Sequence, residues 1–305
     1  MEKTKLNGHI ALLVANTIFG LAVPMSKFLI GTWMTPHGYI ATRCFFAAIV
    51  FWTIQCFLPK EHVERKDLAV IILGGLLGFA VSQTLTAWSL NFTSPVYFSL
   101  IGALCPIAVM ILAFFFLKER ITGIKTFGVA LGIAGAVLLV VMGASGATGG
   151  ENDLLGISLA LGSLLTWAVY LIVTRKVSQK YTPVTQMKWM FLASTLVMIP
   201  LVVVNGEAQP LYTAACTWQA AAATAFVVLG ATVLGYFMIP YAMKRLTATT
   251  VSTYTNLQPV VASIVAIIIG QDIFTWDKPV AAVLVLLSAY IVTQEPKKKS
   301  ASLFR

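Results

Sequence analysis

The sequence predicts an all-α integral membrane protein: ten transmembrane helices arranged as two inverted five-helix repeats around a central cavity. Three observations carry this reading: the composition, the spacing of apolar runs, and the placement of basic residues. Of the 305 residues, 58% are hydrophobic and 10% charged, and the mean hydropathy is +0.87. A soluble domain carries about 25% Asp, Glu, Lys and Arg. Such a chain is not an ordinary globular enzyme, a disordered polymer or a nucleic-acid-binding module. A helix that crosses a bilayer takes roughly 20 apolar residues, so ten use about 200. The remainder suffices for loops and tails and leaves no room for a soluble domain.

The apolar runs fall at 9–30, 38–58, 68–90, 94–117, 124–143, 154–174, 184–204, 218–242, 248–270 and 279–294. The first follows Lys3 and Lys5 and is too long for a signal-peptide core, so it reads as a retained span. Pro59-Lys60-Glu61 ends the second run and Lys118-Glu119-Arg120 the fourth. The stretch from Gly143 to Gly150 separates the fifth from the sixth as a flexible linker. The tenth run is short and ends at Thr293-Gln294-Glu295, followed by Lys297-Lys298-Lys299. That basic run reads either as a stop after the last span or as a docking point for anionic lipid.

Charge placement tests the count independently, because short cytoplasmic loops hold the Lys and Arg excess. With both termini inside, most of the 21 basic residues fall in the tails and inner loops, at Lys60, Arg65 and Lys66, for example, and at Arg175, Lys176 and Lys180. The outer loops hold Lys278 and the acidic Glu151, Asp153, Glu207, Asp272 and Asp277. The net charge of +10 is therefore spread singly between apolar runs, which speaks against a nucleic-acid partner. Cys44, Cys56, Cys105 and Cys216 lack metal-ligand spacing and read as small hydrophobes, so no metal and no cofactor are expected.

The linker divides the chain into residues 1–147 and 148–305. Residues 19–27 lie over 167–175 at an offset of 148, and Pro106 lies over Pro259 at an offset of 153. Each half holds five spans, an odd number, so matched segments must cross the membrane in opposite directions. Inverted repeats of this kind build a site near the bilayer midplane that rocking opens to alternate sides.

Several motifs carry a resemblance. Thr17-Ile18-Phe19-Gly20, Arg43, Leu104-Cys105-Pro106 and Leu117-Lys118-Glu119-Arg120 mark the first half; Asn256-Leu257-Gln258-Pro259-Val260 and Gly270-Gln271-Asp272 mark the second. Together they resemble the ten-helix EamA-type transporters of the drug/metabolite transporter superfamily, over residues 8–294. The resemblance implies a basket-like cavity between helices 1, 3, 4, 6, 8 and 9, with helices 5 and 10 as peripheral supports. Gln258 stands where relatives often have Glu, and Asp272 stands where the first half keeps Glu119. Both departures weigh against carrying over a proton-linked mechanism.

Polar side chains inside a span must face a partner or a cavity. Gly75, Gly78, Ser82 and Thr86 share one helical face, as do Ser163, Trp167, Tyr170 and Thr174, and likewise Thr249, Ser252, Asn256 and Ser263. The first span adds Asn16, Gly20 and Lys27. Small residues and hydroxyls also glue membrane helices together, and Gly74/Gly78 and Gly128/Gly132 are read as such contacts. The candidate solute-binding residues are Asn16, Lys27, Ser82, Thr86, Tyr97, Trp167, Tyr170, Tyr236, Asn256 and Gln258. Pro106 and Pro259 are the candidate hinges. Lys27 and Arg43 either reach outer headgroups or attract an anionic solute. Arg43, a residue type that fixes several backbone carbonyls at once, is further expected to hold the bundle together.

No Asp or Glu lies within a span, which argues against a cation exporter driven by a buried carboxylate. There is no Gly-rich phosphate loop, and His9, His37 and His62 lie at span ends or in loops, so neither an ATP-driven pump nor an intramembrane enzyme is expected. The expected protein is a secondary transporter or facilitator of small organic metabolites, amino-acid-like solutes foremost, with export as its direction. A multidrug or nucleotide-sugar-like carrier and a non-transporting sensor or scaffold are the alternatives. Its expected place is the bacterial inner membrane with both termini cytoplasmic. Membrane lipid and a small solute are the expected partners, as monomer or homodimer.

Overall fold

The computed structural model describes residues 2–93, 98, 101–143, 152–206, 208–213, 216–268 and 276–293. Among the described residues all regular structure is helical, with no strand. The helices are α1 (Glu2–Thr32), α2 (Pro36–Cys56), α3 (Arg65–Phe92), α4 (Cys105–Leu117), α5 (Gly123–Gly143), α6 (Asp153–Lys180), α7 (Pro183–Val204), α8 (Trp218–Met243), α9 (residues 248–268) and α10 (Asp277–Thr293). Six of them, α1, α2, α3, α6, α7 and α8, are long and apolar enough to cross a membrane. The described apolar parts of α4, α5 and α10 are shorter. Parts of the expected fourth, ninth and tenth spans, the linker at 144–150 and the basic run at 297–299 lie outside the described residues.

Helix starts follow local chemistry. Thr35 and Thr182 each precede a proline at the first helical position, where its missing N–H costs nothing. Their hydroxyls accept from Gly38 N (3.1 Å) and Thr185 N (3.4 Å). Asn152, Thr217 and Thr247 cap α6, α8 and α9 in the same way.

Three helices are irregular at mid-length. Residues Leu76–Val81 of α3 and Phe226–Gly235 of α8 are π-helical, and such wide turns leave backbone groups off the regular ladder. Helix α9 changes to a 3-10 turn at Tyr254–Asn256 before continuing as Leu257–Ile268, and Pro259 then withholds one more backbone donor. Pro106 occupies the first turn of α4, directly after a turn in which Leu104 N donates to Ile101 O (3.0 Å).

Packing places α2 against α7, α5 against α10, α3 against α6, α1 against α8 and α9, and α4 against α6 and α9. The small-residue pairs mark two of these approaches. A Cβ on Gly74 or Gly78 would strike Thr174 or the Tyr170 ring of α6, and one on Gly128 or Gly132 would strike Val292 or Ser288 of α10. Where the backbones come this close only glycine fits, which is how membrane helices gain contact without a hydrophobic drive between them.

Candidate functional site

A cavity of about 280 Å³ opens between α1, α2, α3, α4, α6, α8 and α9. Its walls run from Ile30, Leu90 and Phe98 near one end of the bundle past Asn16 and Leu171 to Val251 in the first turn of α9. That end is called the open end. At the other, closed end the helices are tied together. The Glu119 carboxylate accepts from Ala248 N (3.1 Å) and the Thr249 hydroxyl (3.0 Å) at the start of α9. Lys180 bridges Glu64 (2.8 Å) and Asp67 (2.7 Å), and Glu61 binds Thr182.

The floor is built from amides. Asn16 is buried in α1, where its Nδ2 donates to Leu12 O (2.9 Å), and its Oδ1 accepts from Gln258 Nε2 of α9 (2.9 Å). Polar residues of the first and ninth spans are thus joined by a direct bond. Asn256 also lines the cavity and is 1% exposed, yet neither of its amide atoms has a hydrogen-bond partner among the described residues. Ser288 Oγ of α10 is likewise buried and unbonded. Both side chains border Gly132. Leaving a buried polar atom without a partner costs about 1–3 kcal/mol, so this corner of the floor has hydrogen-bonding capacity to offer.

Hydroxyls and rings form the walls. Ser82 Oγ donates to Ser163 O (3.1 Å) and lies 3.2 Å from Ser163 Oγ, which also meets Thr86 Oγ1 (2.7 Å). These three groups zip α3 to α6 and face the cavity too, so the packing and lining roles coincide. Trp167 of α6 and Tyr236 of α8 line the cavity in edge-to-face contact, with ring centroids 5.9 Å apart. The Tyr236 ring also lies 5.0 Å from Phe19, 4.7 Å from Phe79 and 6.2 Å from Phe191. Tyr170 is placed differently. It is buried against Phe79 and the bare face of Gly78, and it is not among the lining residues. Helix α6 turns Ser163 and Trp167 to the cavity and Tyr170 and Thr174 into its seam with α3. Tyr97 and the side chain of Lys27 lie outside the described residues.

Arg43 takes the second of the two places that the sequence leaves open to it, the cavity, and its bonds go to side chains of α3 and α8 rather than to backbone carbonyls. Its side chain is 8% exposed and lines the cavity. Nε donates to the Thr232 hydroxyl (2.8 Å) and Nη1 to Gln83 Oε1 (3.2 Å). The guanidinium carbon stands 5.2 Å from the Tyr39 ring centre and 5.8 Å from that of Tyr236. Gln83, Thr232, Ser163, Tyr39 and Phe19 escaped the sequence reading as site residues. Gln83 is the one side-chain amide in the third span, and that was the signal that could have found it, whereas Thr232 is one of several threonines in apolar surroundings and carries no such mark.

Among the described residues, no three His, Cys, Asp or Glu side chains gather as metal ligands would. What the arrangement can do is bind: it offers amides, hydroxyls, rings and one cation around a space of small-molecule size.

A helical bundle of membrane-length helices enclosing such a cavity is the architecture of a membrane transport protein. The EamA-like transporter family matches residues 6–141 and 154–294, and the chain belongs to that family. It is 27% identical over 293 residues, 92% of each chain, to the uncharacterized transporter YyaM of Bacillus subtilis (strain 168). It is 28% identical over 213 residues to the probable terminal-alkyne amino-acid exporter of Streptantibioticus cattleyicolor, covering 69% of this chain and 68% of that one. A solved crystal structure shares the fold with a TM-score of 0.78 at 17% identity, over 96% of this chain and 97% of that one.

Proposed function

We propose that this transporter is a secondary carrier or facilitator of small, amino-acid-like solutes, that it works by alternating access, and that its direction is export. The observation that carries the substrate class is the cavity itself. Its volume of about 280 Å³ sits at the lower edge of the range of small-molecule pockets, roughly 300–1,000 Å³. That favours a solute of amino-acid size over a nucleotide sugar. Its lining mixes rings with amides and a guanidinium, which suits a solute with both apolar and charged parts. The similarity to a probable amino-acid exporter points the same way.

Alternating access rests on the two-repeat reading. Under an exchange of α1–α5 with α6–α10, the α3/α6 contact maps onto α8/α1 and the α4/α6 contact onto α9/α1, and all four are present. The α2/α7 and α5/α10 contacts map onto themselves. The π segments fall on the equivalent helices α3 and α8, and the breaks before Pro106 and Pro259 on α4 and α9. Those breaks are the proposed hinges. On this reading the closed end is cytoplasmic, together with both termini, in the bacterial inner membrane.

Protein reconstituted in liposomes preloaded with single amino acids should support counterflow of the labelled solute. Replacing Asn256 and Gln258 together with Leu should abolish it while leaving expression and monodispersity intact. Silence across a full amino-acid panel would overturn the substrate class, and unchanged flux in the double variant would make the amides packing elements.

A further inference from the structure

We infer that Arg43 is the carboxylate-binding residue of the cavity, so that the carrier selects solutes by a single negative charge. This rests on the carrier reading above and adds the chemistry by which the solute is recognised.

A guanidinium buried in a membrane protein is expensive unless it is paired or meets its ligand there. Arg43 is more than nine-tenths buried, and no carboxylate among the described residues pairs with it. The partners among the described residues are neutral: the Thr232 hydroxyl, the Gln83 amide oxygen and the Tyr236 hydroxyl by hydrogen bond, with the Tyr39 and Tyr236 rings close to the guanidinium. These groups orient the guanidinium without cancelling its charge, and three bonds leave part of its five N–H donors for a ligand. Thr232 is itself anchored, since its hydroxyl donates to Val227 O (2.8 Å) across the π segment of α8. The head is thus pre-aimed from α2, α3 and α8 at the cavity it lines.

The number of charges decides between anions. Among the described residues that line the cavity, Arg43 is the only Lys or Arg. One guanidinium suits one carboxylate, taken through two parallel N–H donors, whereas a phosphate dianion calls for more positive charge. Among the described lining residues there is no Asp or Glu, so an organic cation would find rings but no counter-charge.

The test uses the full-length protein in liposomes, with L-amino acids each paired with its own carboxamide as competitors of counterflow. Such a pair differs by the carboxylate alone. For the wild type, each amino acid is expected to compete roughly ten- to a hundredfold better than its amide, the range of one charged hydrogen-bonded contact. Arg43→Gln should erase that difference while still binding the amides, which shows that the cavity is folded. Arg43→Lys should keep part of it, having the charge without the fork. Equal competition by acid and amide in the wild type would overturn the assignment, as would a preference that survives in Arg43→Gln. So would O-phosphoserine competing better than serine. If solutes are moved with no dependence on the carboxylate, the Arg43 assignment fails and the carrier reading stands. If no solute in the panel is moved, the carrier reading fails with it.

Discussion

At the closed end of the bundle the Glu61 carboxylate accepts from the Thr182 backbone N–H (3.0 Å) and hydroxyl (2.9 Å) at the start of α7. At the open end the Gln209 amide oxygen accepts from the Thr35 backbone N–H (3.1 Å), and its NH2 donates to the Thr35 hydroxyl (2.8 Å), at the start of α2. Both clasps reach from the connection after one helix of the α2/α7 pair to a Thr-Pro cap on the other. One is ionic and the other neutral. The closed end adds further charge through Glu119 on α9 and through Lys180 with Glu64 and Asp67. The open end adds neutral bonds, Thr42 to Tyr212 (2.7 Å) and Trp88 to His37 (3.3 Å). Among the described residues the same topology is therefore fastened by carboxylates at one end and by bonds without a carboxylate at the other.

That contrast can be broken in several ways. The largest effect is expected from Glu61→Ala, which removes two charge-assisted bonds and should cost about 2 kcal/mol, read as a lowered Tm in detergent. Glu119→Ala removes a comparable pair at the start of α9 and should cost about as much, with Glu119→Gln recovering part by keeping an acceptor for Thr249. Gln209→Ala, at the neutral clasp, should cost about 1 kcal/mol. A Gln209 variant less stable than the Glu61 variant would reverse the ranking and end the comparison.

Acid sharpens the same contrast. Burial pushes the Glu61 carboxyl up, but hydrogen bonds from Thr182 and Thr185 and the field of Lys244 outweigh it and hold it below its ordinary value of 4.5. A depressed carboxylate contributes fully above its unfolded value and loses its contribution as pH falls through the folded one. The closed end should therefore hold above about pH 4.5 and weaken below it, measured as the pH dependence of Tm in the wild type against Glu61→Gln. The described bonds of the Gln209–Thr35 clasp involve no carboxylate, and Gln209→Ala should leave that pH dependence unchanged. The smallest effect is expected for Lys180→Ala, because that side chain is exposed and its ion pairs are screened. Its difference from the wild type should vanish in high salt, whereas that of Gln209→Ala should persist.

Much of the site was legible because lipid makes polar residues conspicuous. Asn16, Gln258 and Asn256 stand out in apolar runs, and the structure brings the first two into a direct bond. Helical spacing alone misled at Tyr170. A face some three residues wide spans both a helix seam and a cavity wall, and which edge meets α3 depends on how α6 is rotated. Ser82 and Thr86 show the converse, since one hydroxyl can zip two helices and still face the solute.

The sequence by itself determined the membrane class and the family resemblance. These depend on the length of apolar runs and on motifs along the chain, all of which are local or countable. Only the tertiary structure decided which end is open, that Asn256 keeps its amide unspent, and that Arg43 turns inward to Thr232, Gln83 and two tyrosine rings. An arginine about two turns from a helix end can reach headgroups or a cavity. The choice is made by neighbours about 40 and 190 residues away in the chain, which no local pattern can name.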